Sequence, residues 1–450
     1  MASAKRRAIV ASIWTLIGFG GSQSLRLVSN LILTRLLAPE LFGLMSLITT
    51  FVVGLHLFSD VGIGASLIQN RRGNDPKFYN TAWTLQVVRG ISLWLLSFPV
   101  AYICVQIYDE PRLWLLIVVA LGSSVFAGFE SVAEHLLNRQ VKQGRQQMLF
   151  FTTQISSIVV TAIWAYFQQS IWALVAGNLV STFLNMILSY YLLIPGIKHR
   201  FTWDKNAVRE IARFGKWIFI STAVTYIAMQ ADRIMLPKLE SFEALGIYTV
   251  AYTFAYLPQQ ILGQISSKVL FPLFSEFSEL PRQELRQKIL KKRRLLLLIM
   301  ALLVALILSF GDYLIIFLYD DRYKQGAWIL PILALGIWPN VLFGSISKAL
   351  MAIGKPQYHA FSNMSKAAFV CLAYPLGFAW FGLPGFVLAV ALNDLPIYFA
   401  CAVGLQRENL SSAVQDLEAT LAFVGLGALF VGGRYLLGWG LPIGTLLNSG

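Results

Sequence analysis

The stretch Leu33-Thr34-Arg35-Leu36-Leu37-Ala38-Pro39-Glu40-Leu41-Phe42-Gly43 returns 203 residues later, without a gap, as Leu236-Pro237-Lys238-Leu239-Glu240-Ser241-Phe242-Glu243-Ala244-Leu245-Gly246. Leu, a cation, a second Leu, Glu and Gly keep their places: Leu33/Leu236, Arg35/Lys238, Leu36/Leu239, Glu40/Glu243 and Gly43/Gly246. In both copies the pattern leaves one apolar segment, turns a short polar corner and enters the next. Six apolar segments separate the copies. An even number puts both corners on the same side of a membrane, so the halves repeat in parallel. Chance likeness between Leu- and Gly-rich segments is the competing explanation. The coincidence of cation, glutamate and glycine with equal segment counts favours a true repeat.

The composition outside the repeat agrees with a membrane setting. Of 450 residues, 57% are hydrophobic and 13% charged, with a mean hydropathy of +0.65. A soluble domain carries about a quarter charged residues, so lipid is the solvent this chain fits. Cys104, Cys371 and Cys401 are odd in number and all apolar in context, which gives neither a disulfide framework nor a metal cluster. His56, His135, His199 and His359 lack metal-ligand spacing. There is no phosphate-cradling glycine loop and no nucleotide-fold glycine motif. A soluble enzyme, a nucleotide-driven pump and a secreted disulfide protein are therefore excluded; no catalytic residue, metal site or cofactor is expected.

Apolar windows of about 20 residues fall near 9–37, 42–68, 78–107, 113–136, 147–168, 171–194, 214–236, 245–272, 295–318, 327–353, 358–382, 384–404 and 419–438. The reading is an all-α polytopic membrane protein. Two six-helix lobes stand in a parallel pseudo-two-fold repeat, with one or two extra C-terminal helices. Its expected domains are an N-terminal lobe over 1–197, a cytoplasmic amphipathic linker over 198–213 and a C-terminal lobe over 214–404. A cytoplasmic segment and extra helix occupy 405–450. The first apolar run continues past signal-peptide length, lacks a cleavage site and contains Arg26, so it reads as a retained helix.

The net charge of +14 follows the same alternation. Every second connection, starting with Lys5, Arg6 and Arg7, is basic; together these connections hold 24 cations, against 5 in the others. By the positive-inside rule the N-terminus is cytoplasmic. Because the cations alternate with membrane spans, no nucleic-acid partner is expected. Two stretches, His199–Lys216 and Glu276–Arg294, interleave cations with apolar residues. Each suits either a helix lying on an anionic leaflet or a solvated loop.

With the corner motif 34–43, the stretch Ser59-Asp60-Val61-Gly62-Ile63-Gly64-Ala65-Ser66-Leu67-Ile68 resembles the polysaccharide transporters of the multidrug/oligosaccharidyl-lipid/polysaccharide flippase superfamily. Gln230-Ala231-Asp232-Arg233 and Leu245-Gly246-Ile247-Tyr248-Thr249-Val250-Ala251-Tyr252 carry the likeness into the second half. The chain is most similar to the O-antigen, colanic-acid and teichuronic-acid exporters, the Wzx-like flippases, over residues 1–404. The resemblance implies movement of polyprenyl-diphosphate-linked oligosaccharide from the inner to the outer leaflet of a bacterial inner membrane. It also implies polysaccharide polymerase or glycosyltransferase partners.

Charges inside a membrane are costly and functional by default. Lys268, Lys348 and Lys366 lie near helix ends, where snorkelling explains them. Arg26 lies deeper, with Gln23 three residues before it and Asn30 four after, on one helical face. Under the repeat shift, the second half offers Tyr226, Gln230 and Arg233 as the matching polar stripe. Arg89 lies 12 residues beyond Lys77. Guanidinium groups match phosphate oxygens bidentately, so Gln23, Arg26, Asn30, Arg89, Gln230 and Arg233 are the expected substrate-binding residues. The competing role for Arg26 and Arg89 is internal pairing with Asp60 or Asp394. Those two carboxylates are also the candidates for coupling to H⁺ or Na⁺.

A cation-coupled multidrug antiporter of the same superfamily would need an acidic cavity, whereas the helix-one stripe is cationic. A lipid II flippase shares the anionic-headgroup chemistry and stays open as an alternative. A membrane polymerase would carry its chemistry in large outer loops, and connections such as Ala38–Leu41 and Tyr108–Arg112 are short.

Overall fold

The computed structural model describes residues 2–59, 62–139, 144–194 and 197–444. Contacts divide the chain into two compact units, Met1–Tyr226 and Ile227–Gly450. The first unit holds α1 (Ala2–Leu36), α2 (Pro39–Phe58), α3 (Ile63–Gln69), α4 (Pro76–Tyr108) and α5 (Arg112–Leu121). It continues with α6 (Ser123–Gly128), α7 (Ala133–Arg139), α8 (Gly144–Phe167) and α9 (Trp172–Leu188), which runs into a π-helical turn, Ser189–Leu193. The unit boundary falls inside α10 (Lys205–Leu239). The second unit continues with α11 (Phe242–Ala255), α12 (Leu257–Ile265), α13 (Phe271–Glu276) and α14 (Arg282–Leu318). It ends with α15 (Gly326–Gly344), α16 (Ser347–Ala352), α17 (Gln357–Leu392), α18 (Asp394–Arg407) and α19 (Ala413–Leu436).

The repeat governs where these elements start and stop. α1 and α10 are both 35 residues long and begin and end 203 residues apart. α2 and α11 also begin 203 residues apart. The two corners use different chemistry for one result. Pro39 opens α2, where a missing N–H costs nothing, and Ser241 caps α11 by accepting from the Ala244 amide at 3.0 Å.

Among the described residues, eight helical runs are long and apolar enough to cross a membrane, and the chain is an all-α polytopic membrane protein. Several windows that read as single helices are broken, among them 327–353 between Gly344 and Ser347 and 384–404 at Asn393. The window 42–68 stops at Phe58 and restarts at Ile63 behind Gly62, whose φ of 74° is left-handed. The window 113–136 is interrupted after Leu121 and again between Gly128 and Ala133. The window 245–272 breaks at Tyr256 ahead of Pro258, which has no N–H to continue the ladder. A further kink lies at Gly382, with φ 60° and ψ −145°, where the sequence placed the boundary between two helices. Among the described residues one extra C-terminal helix, α19, follows the second lobe; beyond it Gly438 and Gly440 both adopt positive φ.

In the first unit, α4 and α6 approach backbone to backbone: a Cβ on Gly90 would lie 2.4 Å from the Ser124 carbonyl oxygen. The chain 197–204 lies along the start of α4. There Asn80, Thr81 and Thr84 accept hydrogen bonds from the amides of Arg200, Asp204 and Thr202 at 3.0–3.2 Å. His199 stacks on Trp83, centroids 5.4 Å apart, and its Nε2 shares a hydrogen bond with Ser131 Oγ at 2.9 Å. Arg72 ties this strap down through Asp204 and Glu210. The segment 198–204 is thus coil docked on α4, and the helix begins at Lys205.

In the second unit, α19 is clamped to α14 by two buried ion pairs. Arg293, fully buried, meets Asp416 at 2.5 Å and also donates to Ser345 Oγ and the Leu342 carbonyl. Asp416 in turn accepts from Ser412 and Tyr398. At the far ends of the same helices, Arg434 grips Asp312 with both nitrogens, donates to the Ser309 carbonyl and sits 4.3 Å over the Tyr313 ring. By sequence Arg293 falls in the cationic stretch Glu276–Arg294. The structure removes it from that group, because Asp416 and the carbonyl end of α15 solvate it inside the protein.

Candidate transport site

Each unit carries its own share of the expected site. On α1, Gly18 and Gly21 meet Gln147 and Phe151 of α8, and Gln154 donates to the Ser22 carbonyl at 3.1 Å. A helix of about 3.6 residues per turn places Gln23, Arg26 and Asn30 on another flank. Arg26 is exposed there, with Gln23 and Asn30 half-buried. The Arg89 guanidinium, half-buried on α4, turns to the end of α2. Its Nε donates to Ser59 Oγ at 2.8 Å and its Nη2 to the His56 carbonyl at 2.6 Å. That carbonyl belongs to the last turn of α2, where a cation complements the helix dipole. Asp60 lies outside the described residues.

The stripe Tyr226, Gln230 and Arg233 divides at the unit boundary. Tyr226 belongs to the first unit, donating to the Thr50 carbonyl at 2.9 Å and packing on Gly54. Gln230 and Arg233 belong to the second, where Arg233 Nη1 donates to Gln230 Oε1 at 3.2 Å. The Arg233 guanidinium lies 5.1 Å over the ring of Tyr252, and its buried Nε has no acceptor. Tyr252 stacks on Tyr256 with centroids 3.7 Å apart, while Tyr248 donates to Asp232 at 2.5 Å. The three tyrosines follow at i, i+4 and i+8 along α11 and its end, so they share one helical face.

Asp394 faces the same cluster. It acts electrostatically on Tyr252, Tyr256 and Tyr374, as does Asp232. Its Oδ1 takes the Lys366 ammonium at 2.5 Å, and its Oδ2 is buried without a partner. Beside it Asn393 donates to the Tyr374 hydroxyl at 2.8 Å, and its own Oδ1 is also buried and unpartnered. The helix breaks between α17 and α18 here, which puts Asp394 in the first turn of α18, where the dipole favours a carboxylate. Lys366 is 8% exposed. It does not snorkel, because its long stem folds back to Asp394 instead of reaching water.

The second unit therefore gathers Gln230, Arg233 and Asp394, read from sequence, around tyrosines and a lysine that were not. The spacing Tyr248-x3-Tyr252-x3-Tyr256 was the available signal. Among the described residues no group of three or more His, Cys, Asp or Glu side chains could hold a metal ion. The cluster offers a rigid cation over an aromatic face, one carboxylate oxygen and one amide oxygen. These groups can hold an anion or a sugar hydroxyl, and can exchange a proton or a small cation.

Known proteins resemble the chain in sequence and in overall fold. The chain is 22% identical over 296 residues to the teichuronic acid biosynthesis protein TuaB of Bacillus subtilis, covering 66% of this chain and 61% of that one. It is 21% identical over 326 residues to the succinoglycan biosynthesis transport protein ExoT of Rhizobium meliloti, covering 72% and 64%. In both cases the chain spans less than two thirds of the relative's length. Among solved structures, an inward-facing multidrug resistance MATE family transporter of the MOP superfamily superposes with a TM-score of 0.70 at 14% identity, covering 90% of this chain and 95% of that one. The lipid II flippase MurJ, in an inward closed conformation, also reaches 0.70 at 15% identity, covering 95% and 99%. The fold is shared equally by these two transporters and does not choose between them. The sequence is more selective: the profile of the polysaccharide biosynthesis protein family matches residues 32–327, the larger part of the chain, and the protein belongs to that family.

Proposed function

We propose that this protein is a flippase that carries polyprenyl-diphosphate-linked oligosaccharide from the inner to the outer leaflet of a bacterial inner membrane. It works by alternating exposure of the headgroup, without covalent chemistry. The observation that carries the reading is Arg233, a buried guanidinium laid over Tyr252 with one N–H lacking an acceptor. A fixed fork over an aromatic face is suited to phosphate oxygens and a neighbouring sugar. Arg26 and Arg89 supply the corresponding cations in the first unit. Gln23, Asn30 and Gln230 supply amides for sugar hydroxyls. Family membership supports the substrate class, since relatives carry the names of teichuronic acid and succinoglycan biosynthesis.

Coupling is assigned to Asp394 or, in the first half, to Asp60. Protonating Asp394 would neutralise the partner of Lys366 and free a cation inside the cluster. An inside-negative potential would add about 2.3 kcal/mol per exported negative charge per 100 mV. The test uses proteoliposomes holding a fluorescent polyprenyl-diphosphate oligosaccharide, with headgroup exposure scored by an external glycan-cleaving enzyme. Arg26→Ala with Arg89→Ala should slow exposure while leaving insertion intact. Normal flipping by that double variant removes the first unit's cations from the account. Ion-driven uptake of an organic cation, with no headgroup exposed, replaces the flippase by the antiporter.

A further inference from the structure

The first unit carries a groove that the transport cluster does not use. It has a volume of about 800 Å³ and is walled by Phe126, Phe129, Met186, Tyr190 and Tyr191, with Lys198 as the one cation of its lining. Both helical walls depart from regular geometry at this level. The α6–α7 break spans residues 129–132 on one side, and the π-helical turn Ser189–Leu193 lies on the other. Such turns concentrate at functional places. The walls are pinned together. Tyr190 donates to the Phe129 carbonyl at 2.7 Å, and the Ser131 amide donates to Ser189 Oγ at 3.0 Å. From α4, Gln86 Nε2 reaches the carbonyls of Ala127, Gly128 and Glu130 at 3.0–3.3 Å. The Glu130 carboxylate in the same break is taken up by Asn185 at 2.7 Å and is not part of the lining.

A preformed apolar groove of this size matches the range of small-ligand sites, about 300–1,000 Å³. Its chemistry is one-sided: aromatic and aliphatic walls for a hydrocarbon chain, and a single exposed ammonium beside them. Among the described residues Lys198 has no carboxylate within ion-pair distance. One cation balances one negative charge, which suits a phosphodiester and undersupplies a diphosphate.

We propose that this groove binds a bilayer phospholipid carrying one net negative charge, with an acyl chain between α6 and the π-helical turn and its phosphate on Lys198. The lipid then sits against the docked strap 197–204, which starts the link to the second unit. This proposal does not depend on the transport reading.

The test is photo-crosslinking of the full chain in phosphatidylcholine vesicles doped with a diazirine-acyl phosphatidylglycerol, with adducts mapped by peptide mass spectrometry. Adducts should concentrate on residues 125–129 and 186–191. They should fall about tenfold in Lys198→Glu, recover in Lys198→Arg, and also fall in Met186→Trp, which fills the groove while keeping the charge. Lys205→Glu, a charge reversal at the start of α10 outside the lining, should leave them unchanged. Equal labelling by a diazirine phosphatidylcholine, or indifference to Lys198→Glu, overturns the site and leaves charge-blind lipid contact. Displacement of the label by an equal mole fraction of a polyprenyl phosphate overturns the phospholipid assignment in favour of an isoprenoid chain.

Discussion

The second unit buries two kinds of charge, and they are finished differently. In the α14–α19 clamp both guanidinium groups are well partnered: Arg293 donates to Asp416, Ser345 Oγ and the Leu342 carbonyl, and Arg434 to Asp312, the Ser309 carbonyl and the chain after α19. In the tyrosine cluster the Arg233 Nε, the Asp394 Oδ2 and the Asn393 Oδ1 are buried with nothing to bond. Leaving such a group unpaired costs about 1–3 kcal/mol. On the proposed reading, the clamp charges hold α14 to α19, and the unpaired groups of the cluster are the ones that meet the transported headgroup and the coupling ion.

The largest effect expected breaks the clamp. Arg293→Ala or Asp416→Ala leaves an uncompensated buried charge, worth about 3–5 kcal/mol, and the thermal midpoint in detergent should fall sharply. Arg293→Met combined with Asp416→Leu should recover most of that loss, since an apolar pair can replace a buried ion pair. Transport should recover with it. The same exchange in the cluster sharpens the contrast. Lys366→Met with Asp394→Leu should fold as well as the wild type yet slow headgroup exposure by about tenfold or more, a loss of function without loss of fold. If transport survives in that variant, the coupling assignment fails.

Arg233→Lys is a finer probe. It keeps the charge and loses the fork and the stack over Tyr252. A transport loss of about tenfold with an unchanged thermal midpoint is expected. Parallel changes in both would reduce Arg233 to a prop for the tyrosines.

The smallest effect concerns the strap, outside the membrane-spanning segments. Burial between Trp83 and Ser131 pushes the His199 imidazole from 6.5 down to about 4. The unfolded strap therefore takes up a proton before the docked one does. Docking is complete above pH 6.5 and weakens as pH falls toward about 4. Hydrogen exchange at residues 197–204 should accelerate over that window, and His199→Gln should flatten the response. Asp204 behaves in the usual carboxylate direction: its hydrogen bond from Arg72 holds it below the ordinary range. Its contribution is present at neutral pH and fades only in stronger acid.

The repeat was legible because Leu, a cation, a second Leu, Glu and Gly keep their places at both corners, although Pro39 and Ser241 start the following helices by different chemistry. A 203-residue shift found in eleven residues reproduces the bounds of two 35-residue helices. The kink at Gly382 coincides with the boundary that the sequence places between the windows 358–382 and 384–404; its positive φ is one that glycine adopts without a Cβ clash. The break in the window 113–136 was hidden, because the carbonyls of Ala127, Gly128 and Glu130 are taken up by Gln86, a residue 41 to 44 positions earlier in the chain. Arg293 was hidden by its neighbours, since six other cations between 282 and 294 make it look solvated. Lys366 was misread because depth along a helix does not say which way a long side chain turns. Gln230, Arg233 and Asp394 were found as intramembrane polar groups, but the tyrosines that join them needed the fold.

The central claim is tested most directly by external glycan cleavage in proteoliposomes, comparing the wild type, the Arg293→Met/Asp416→Leu clamp exchange and Arg233→Gln. Protein-dependent cleavage that is kept by the clamp exchange and lost by Arg233→Gln is the predicted result. Cleavage that ignores Arg233 while failing with the clamp exchange would contradict the account.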